Sequence, residues 1–590
     1  MRGPALSLRT LDRALAAALL GAAVAYMVIA SGFFPDRAGK LGDDYEYFLP
    51  ALLAGKYWIA ENGLLAVPRF SPAFCGGLPF LANPQSLFYS VPQAFSLLAD
   101  PIASIFATTL VFAGVGAAGT YALMRRRFGV SAQAAGLSAL LFLFNGFLLH
   151  RMAMGHATYH AFGLAPVLCY ALLTPLDGAS GALWLALRRA AGPMAVAAAI
   201  LAYFVYAGAP NALVPLGITV VMVWLLHALT RPPVTSFWFV GLGAGAIGAA
   251  AAAAKLVPAL VFVDHFPRTH ELVLFDNPLY YGGVFVGYFL PSFLPDHLGF
   301  AGKHEFEFGV GVAPFVLLLA AYDRYRATRR SGRPAGATYG KLAALGFLVA
   351  VPVVLNFGGG PAYAAWLKSL PYIGDNVILV RWFQIYLMPL IVGSGLALDF
   401  AFPGPAQRSR AALAGVLVTV LQSAIADRPF YDIAPYDPAP IMVAAQALQS
   451  GHAPPAITGI GGAGVFGQRN DGLASGQSGF PCYEPLFGYH LESFPAGLVP
   501  GEGRLRNPAC YIYGPENDCV PGATFTEADR EDEAAFADYR PFVFVLPGWQ
   551  RWADWVSATG LAAIVLGLGI ALVPSRRRDP VVRPAIELSE

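Results

Sequence analysis

RALAAALLGAAVAYMVIASG, residues 13–32, is an apolar run headed by one arginine, and ten residues after it the chain reads Gly42-Asp43-Asp44-Tyr45-Glu46-Tyr47. A bilayer core about 30 Å thick is crossed by roughly 20 apolar residues in a helix. Two adjacent carboxylates therefore stand just beyond a membrane helix. The same loop continues as Pro68-Arg69-Phe70-Ser71-Pro72 and Gly76-Gly77-Leu78-Pro79-Phe80-Leu81-Ala82-Asn83-Pro84-Gln85.

The rest of the chain repeats the first pattern. Of its 590 residues 56% are hydrophobic and only 13% charged, and the mean hydropathy is +0.56. This is the composition of a polytopic membrane protein. Runs of spanning character fall near 13–32, 102–123, 131–150, 160–176, 191–208, 211–230, 236–262, 308–322, 341–356, 384–401, 409–426 and 555–573. The fold class expected is an all-α membrane bundle of about 12 spans. The net charge of +2 speaks against a nucleic-acid partner.

Short cytoplasmic loops collect Lys and Arg. Reading the connections alternately, Arg2, Arg9 and Arg13, Arg125 to Arg127, Arg188 and Arg189, Arg231, Arg324 to Arg333, Arg408 and Arg410, and Arg576 to Arg578 all fall on one side. That side is assigned to the cytoplasm, with both termini in it and the chain in the inner (plasma) membrane. The first run, with its basic flank, also has the look of a signal peptide, but its length near twenty residues and the lack of a clear A-x-A cleavage site before Asp43 favour a retained anchor. Asp43-Asp44, His156, His265, Glu305, Arg381 and the stretch 427–549 then face outward.

Three regions follow: a membrane domain over 1–426 with a long first outer loop at 33–100, an extracytoplasmic soluble insertion at 427–550, and a last span with a basic tail at 551–590. The loop 33–100 is rich in aromatics, among them Tyr57, Trp58, Phe88 and Tyr89, and is expected to form amphipathic helices along the outer interface. In the insertion, 483–490 and 542–547 resemble short strands and turns, and Glu527 to Glu533 a solvated surface. Acceptor recognition and packing against the outer loops are both open roles for it. Cys510 and Cys519 bracket a turn-rich loop on the oxidising side and are the favoured disulfide; Cys75 with Cys482 is a second pairing, with free thiols as its alternative.

The polar residues of the outer loops carry the candidate chemistry. Asp43 and Asp44 suit a base, although Asp44 is also placed to cap a helix starting at Tyr45; in an extended segment only one of them faces a reacting centre. Arg381, just before an apolar run, is costly at membrane depth unless it meets an anion, and a lipid phosphate fits its fork; snorkelling to head groups is the alternative. Arg69, Lys303 and Arg268 are further phosphate candidates. His156 and His160, four apart, share a face on an α-helix and are candidates for phosphate contact, proton relay or a metal, with closure of a helix end as the plain alternative. Glu305 and Glu307 alternate with aromatics and share a face if extended, and Asp264-His265 closes the seventh run; a solvated loop is the alternative for both.

Gly42-Asp43 after the first run, the G-G-x-P-x-x-A-N-P-Q stretch from Gly76 to Gln85, Gly155-His156 after the third, and Arg381 before a late one together resemble the GT-C superfamily of membrane glycosyltransferases, and more closely YfhO-like bacterial membrane proteins. The resemblance implies a polyprenyl-phosphate-linked sugar donor and an envelope glycan, lipid or protein acceptor. It also implies inverting transfer on the outer face and an acidic centre in the first outer loop, alone or with a divalent cation. Carried onto this chain, the acidic role falls on Asp43 or Asp44 and the phosphate role on Arg381. The rival readings are a transporter or flippase for a lipid-linked glycan and a non-catalytic envelope assembly factor.

Overall fold

The computed structural model describes residues 8–34, 41–42, 44–74, 76–176, 183–265, 271–299, 301–328, 336–374, 376–425, 436–461, 470–479, 512–513, 517, 525–541 and 545–572. Cys75, Cys482, Cys510 and Cys519 lie outside the described residues, as do Asp43, Arg268 and the stretch 483–490; Cys169 is a buried free thiol.

The described residues are mostly helical. Its helices are α1 (Leu8–Ser31), α2 (Tyr45–Asn62), α3 (Val91–Ser96), α4 (Pro101–Arg126), α5 (Ala132–Leu143), α6 (Gly146–Ala153), α7 (Ala165–Leu172), α8 (Leu183–Tyr206), α9 (Leu213–Thr230) and α10 (Phe237–Ala251). They continue as α11 (Ala253–His265), α12 (Leu279–Phe289), α13 (Val312–Thr328), α14 (Gly336–Leu355), α15 (Pro361–Lys368), α16 (Leu387–Ala401), α17 (Pro405–Ala424), α18 (Ala439–Gln449), α19 (Arg530–Ala537) and α20 (Gly548–Leu572). Every apolar run read from the sequence contains a helix. Among the described residues seven segments are long and apolar enough to cross a membrane, and α10 with α11 forms an eighth that is bent by 75°. α13 is 17 residues long and ends in Asp323, Arg324 and Arg326, and α17 carries Arg408 and Arg410 in its first turns, so neither meets that standard.

The run 236–262, expected as one straight span, is therefore broken at Ala252. Breaking a helix frees backbone carbonyls that must be paired in an apolar setting. Ala251 O accepts from Ser557 Oγ at 2.5 Å and Tyr206 Oη at 3.1 Å. Beyond the bend, the buried Lys255 ammonium donates to Ser86 O at 2.6 Å and Tyr206 O at 3.3 Å, fastening the first outer loop to the bundle.

The basic connections do gather at one end. Arg127 donates to Thr174 Oγ1 and Tyr170 O, Arg231 Nε to Phe128 O and Lys341 Nζ to Ala228 O. Asp399 takes Ser131 N at 2.6 Å and Arg408 Nε at 2.9 Å, while Asp12 takes Gln133 and Ser409. At the opposite end Val273 N donates to Val377 O and Phe275 N to Asn356 O, joining the stretch after α11 to the one after α14.

The first outer loop departs from expectation. α2 is not an interfacial amphipath: Tyr45, Phe48, Leu49, Leu52, Tyr57 and Trp58 are buried around its whole circumference, and Phe88 is buried with them. A helix apolar all round belongs inside a protein. Its cover is the insertion, whose α18 and α19 regions lie over it. Tyr57 meets Tyr539, Phe70 stacks on Phe536, and Asn62 Nδ2 donates to Tyr539 O at 2.7 Å. A short parallel pair, 459–461 with 477–479, completes the contact through Gly479 N to Ala73 O. Residues 545–547, the described part of a stretch expected to form short strand and turn, are irregular, and the Thr526–Asp529 capping box opens the exposed acidic turn.

Candidate functional site

Two glycine dipeptides in the sequence form one contact. Asn145 caps α6 by accepting from Leu148 N at 3.0 Å, and the helix closes at Gly155, whose φ of +84° returns the chain so that His156 N donates to Arg151 O. A left-handed glycine is the common helix stop. Gly42, Asp44 and Tyr45 press on this turn: Asp44 N donates to Met154 O at 3.1 Å and Tyr45 Oη to Met152 O at 2.9 Å. A Cβ on Gly155 would lie 2.5 Å from Tyr45 N, and one on Gly42 would run into Met154. Gly155→Ala is expected to cost at least about 1–2 kcal/mol in backbone strain alone. It should also part Asp44 from His156, lowering the melting midpoint and activity together.

Asp44 sits at the start of α2, yet its side chain makes no capping bond. Its Oδ2 instead faces His156 Nε2 at 3.3 Å, with 13% of the side chain exposed. His156 Nδ1 lies 3.4 Å from Arg151 Nη1. A guanidinium has donors only, so Nδ1 accepts and the proton of the neutral ring is on Nε2, pointing at the Asp44 carboxylate. Burial, with Arg381 and Arg151 nearby, pushes the imidazole well below its ordinary range, which keeps it neutral.

Arg151, 1% exposed, is the centre's buried pivot. It lies near the rings of Phe147 and Tyr159 and reaches Glu305 Oε2 at 2.7 Å. Glu305 belongs to a 3-10 turn, Lys303–Glu305, and is held in place by Phe306 and Phe308, both fully buried. Arg381, from the 3-10 stretch Leu379–Tyr386, forks onto the same carboxylate, Nε to Oε2 at 2.9 Å and Nη2 to Oε1 at 2.5 Å. His304 Nε2 adds a contact at 3.4 Å and its ring lies beside that of His156. Burial alone would raise Glu305, but Arg151 and Arg381 hold its carboxyl well below the usual carboxylate range. Two carboxylates and two guanidiniums thus balance in one centre, in which Arg381 keeps 24% of its side chain exposed while Arg151 and Glu305 are buried.

Among the described candidates, Asp44, His156, Glu305 and Arg381 are brought together and the others are not. His160 points to Tyr203 Oη at 2.7 Å, away from His156. The segment 157–164 is a 3-10 helix, not an α-helix. Positions four apart then differ by about 120° in azimuth instead of about 40°. Arg69 pairs with Asp554 of α20 at 2.8 Å, on the rim of an apolar groove of about 650 Å³ lined by Tyr89, Tyr203, Tyr206 and Leu561. Glu307 does not share a face with Glu305 but meets His150 Nδ1 at 3.2 Å, and Lys303 meets Asp296. Asp264 is exposed at the end of α11. The stretch Gly76–Gln85 braces α2 and the insertion, with Asn83 Nδ2 donating to Tyr47 Oη and Gly76 N to Ser478 Oγ. Arg151 and His304 were not read as candidates from the sequence.

The overall fold is similar over 81% of this chain to the arabinofuranosyltransferase AftD from Mycobacteria, a mutant form, at 17% identity and a TM-score of 0.41. The chain spans only 33% of that protein's length. It is similar over 79% of its length to ArnT from Cupriavidus metallidurans in the apo state, covering 85% of it at 15% identity and a TM-score of 0.36. No protein family matches the sequence, and no curated protein matches it.

Proposed function

We propose that this protein is an integral-membrane glycosyltransferase of the GT-C kind. It moves a sugar from a polyprenyl-phosphate carrier to an envelope glycan, lipid or protein at the outer face of the inner membrane. The observation that carries the reading is the pairing of Asp44 with a neutral His156 beside the Arg151–Glu305–Arg381 cluster. The end of the bundle bearing Arg127, Arg231 and Arg408 is then cytoplasmic, with both termini there.

Transfer needs a base at the acceptor and positive charge at the leaving group. Asp44 takes the proton of the acceptor hydroxyl as that oxygen bonds to the anomeric carbon. The bond from that carbon to the phosphate oxygen breaks on the opposite face, and its electron pair leaves with the phosphate, against the exposed part of Arg381. The configuration inverts. Glu305 positions Arg381, and His156 holds Asp44 Oδ2 so that the other oxygen is presented. His160, within the 3-10 helix that His156 precedes, contacts Tyr203, and Tyr203 lines the groove under Arg69. That groove suits the lipid chain of a substrate. A divalent cation finds no group of three ligating side chains among the described residues, and the two guanidiniums beside Asp44 disfavour one.

Proteoliposomes holding the intact protein, given radiolabelled polyprenyl-phosphate sugars and an envelope extract, test the reading. Label moving from lipid to acceptor is the expected result. Label crossing the bilayer still attached to its lipid would support a flippase instead.

A further inference from the structure

A groove of about 750 Å³ runs between α13 and α17. Its walls are apolar, with Val316, Leu317 and Ala320 on one side and Ala411, Ala414 and Val418 on the other. Lining residues extend along α13 from Val312 to Arg324, about 18 Å at the helical rise. The surfaces flanking it are also apolar: Val316, Leu319, Leu417 and Leu421 are each more than half exposed, as lipid-facing side chains are.

Arg324 and Arg410 stand together at one end of this trough. Arg324 makes one long contact, Nη1 to Ala401 O at 3.5 Å, and lies 5.9 Å from the Phe400 ring. Arg410 is exposed, and among the described residues neither arginine has a carboxylate partner. The nearby Asp399 is taken by Arg408 and Ser131. Two guanidiniums with free forks, closing an apolar trough that opens toward lipid, match an amphiphile with an anionic phosphate head.

We propose that this groove is a binding site for one anionic phospholipid, its acyl chain along α13 and α17 and its phosphate on Arg324 and Arg410. The charge complementarity selects the head and the apolar walls take the chain. The site is separate from the Asp44 centre and does not depend on what that centre catalyses.

Native mass spectrometry of the purified full-length protein tests it, with dioleoylphosphatidylglycerol or dioleoylphosphatidylcholine added to the micelles. The wild type should retain the anionic lipid at about tenfold or higher occupancy over the zwitterionic one. The double variant Arg324→Gln/Arg410→Gln should bring the two lipids level. Ala414→Phe, at an exposed position where the ring fills the trough while both arginines remain, should also lower retention of the anionic lipid. All variants are compared after matching melting midpoints in lipid-free micelles. Equal retention of both lipids by the wild type, or an Ala414→Phe protein that binds as the wild type does, overturns the proposal.

Discussion

Asp44→Asn is expected to lower sugar transfer by about 10²–10⁴-fold, the range for removing a positioned general base, while lowering the melting midpoint less than Glu305→Gln does. The two parts follow from the same geometry. Asp44 makes no capping bond to α2, so the substitution removes a charge beside Arg381 but no hydrogen bond of the helix. An asparagine carbonyl oxygen can still accept the Nε2 proton of His156 across 3.3 Å. What is lost is the capacity to take a proton from the acceptor. Because burial and the neighbouring guanidiniums keep His156 neutral, the wild-type rate should also be flat between about pH 6 and 8, with no inflection at the ordinary histidine value of about 6.5. Rates are measured in matched proteoliposomes, with Asp43→Asn alongside. A fully active Asp44→Asn with an inactive Asp43→Asn would move the base one residue, and full activity in both would end the catalytic reading.

The membrane bundle was legible because apolar length is a local property: each run read from the sequence holds a helix, and the basic residues assigned to one side do converge through Arg127, Arg231 and Asp399. The first outer loop was not. Aromatics such as Tyr57 and Trp58 serve equally as interface anchors or as core, and only the insertion, far away in sequence, decides for core. At the site, the clustering of Asp44, His156, Glu305 and Arg381 agrees with their assignment to one side. The pairing of Arg381 with Glu305 depends on a contact across 76 residues that no local pattern contains. Arg151 could have been found. It follows an apolar run as Arg381 precedes one, and the same argument, that an arginine at that depth needs an anion, applies to it. His160 was misplaced because an i, i+4 spacing was read as α-helical where the chain forms a 3-10 helix.

Glu305→Gln should be the most destabilising single change in the outer half of the protein. It leaves Arg151, 1% exposed, and Arg381 without their shared counter-charge. Removing one partner from a buried ion pair costs about 3–5 kcal/mol. If the cost is the stranded charge and not lost volume, then Arg151→Met added to Glu305→Gln should recover part of it, so that the double variant is less destabilised than the sum of the singles. The acid limb separates this from a packing effect. With its folded carboxyl held well below the usual range, Glu305 is protonated more readily in the unfolded chain than in the folded one as pH falls. Its contribution is therefore complete above the unfolded value of about 4.3, shrinks below it, and is gone once the pH passes the depressed folded value. Melting midpoints of wild type and Glu305→Gln in the same micelles should differ by a constant amount from pH 7 to about 5 and converge below that. A gap that stayed open into strong acid, or an additive double variant, would show that the arginines do not depend on the Glu305 charge.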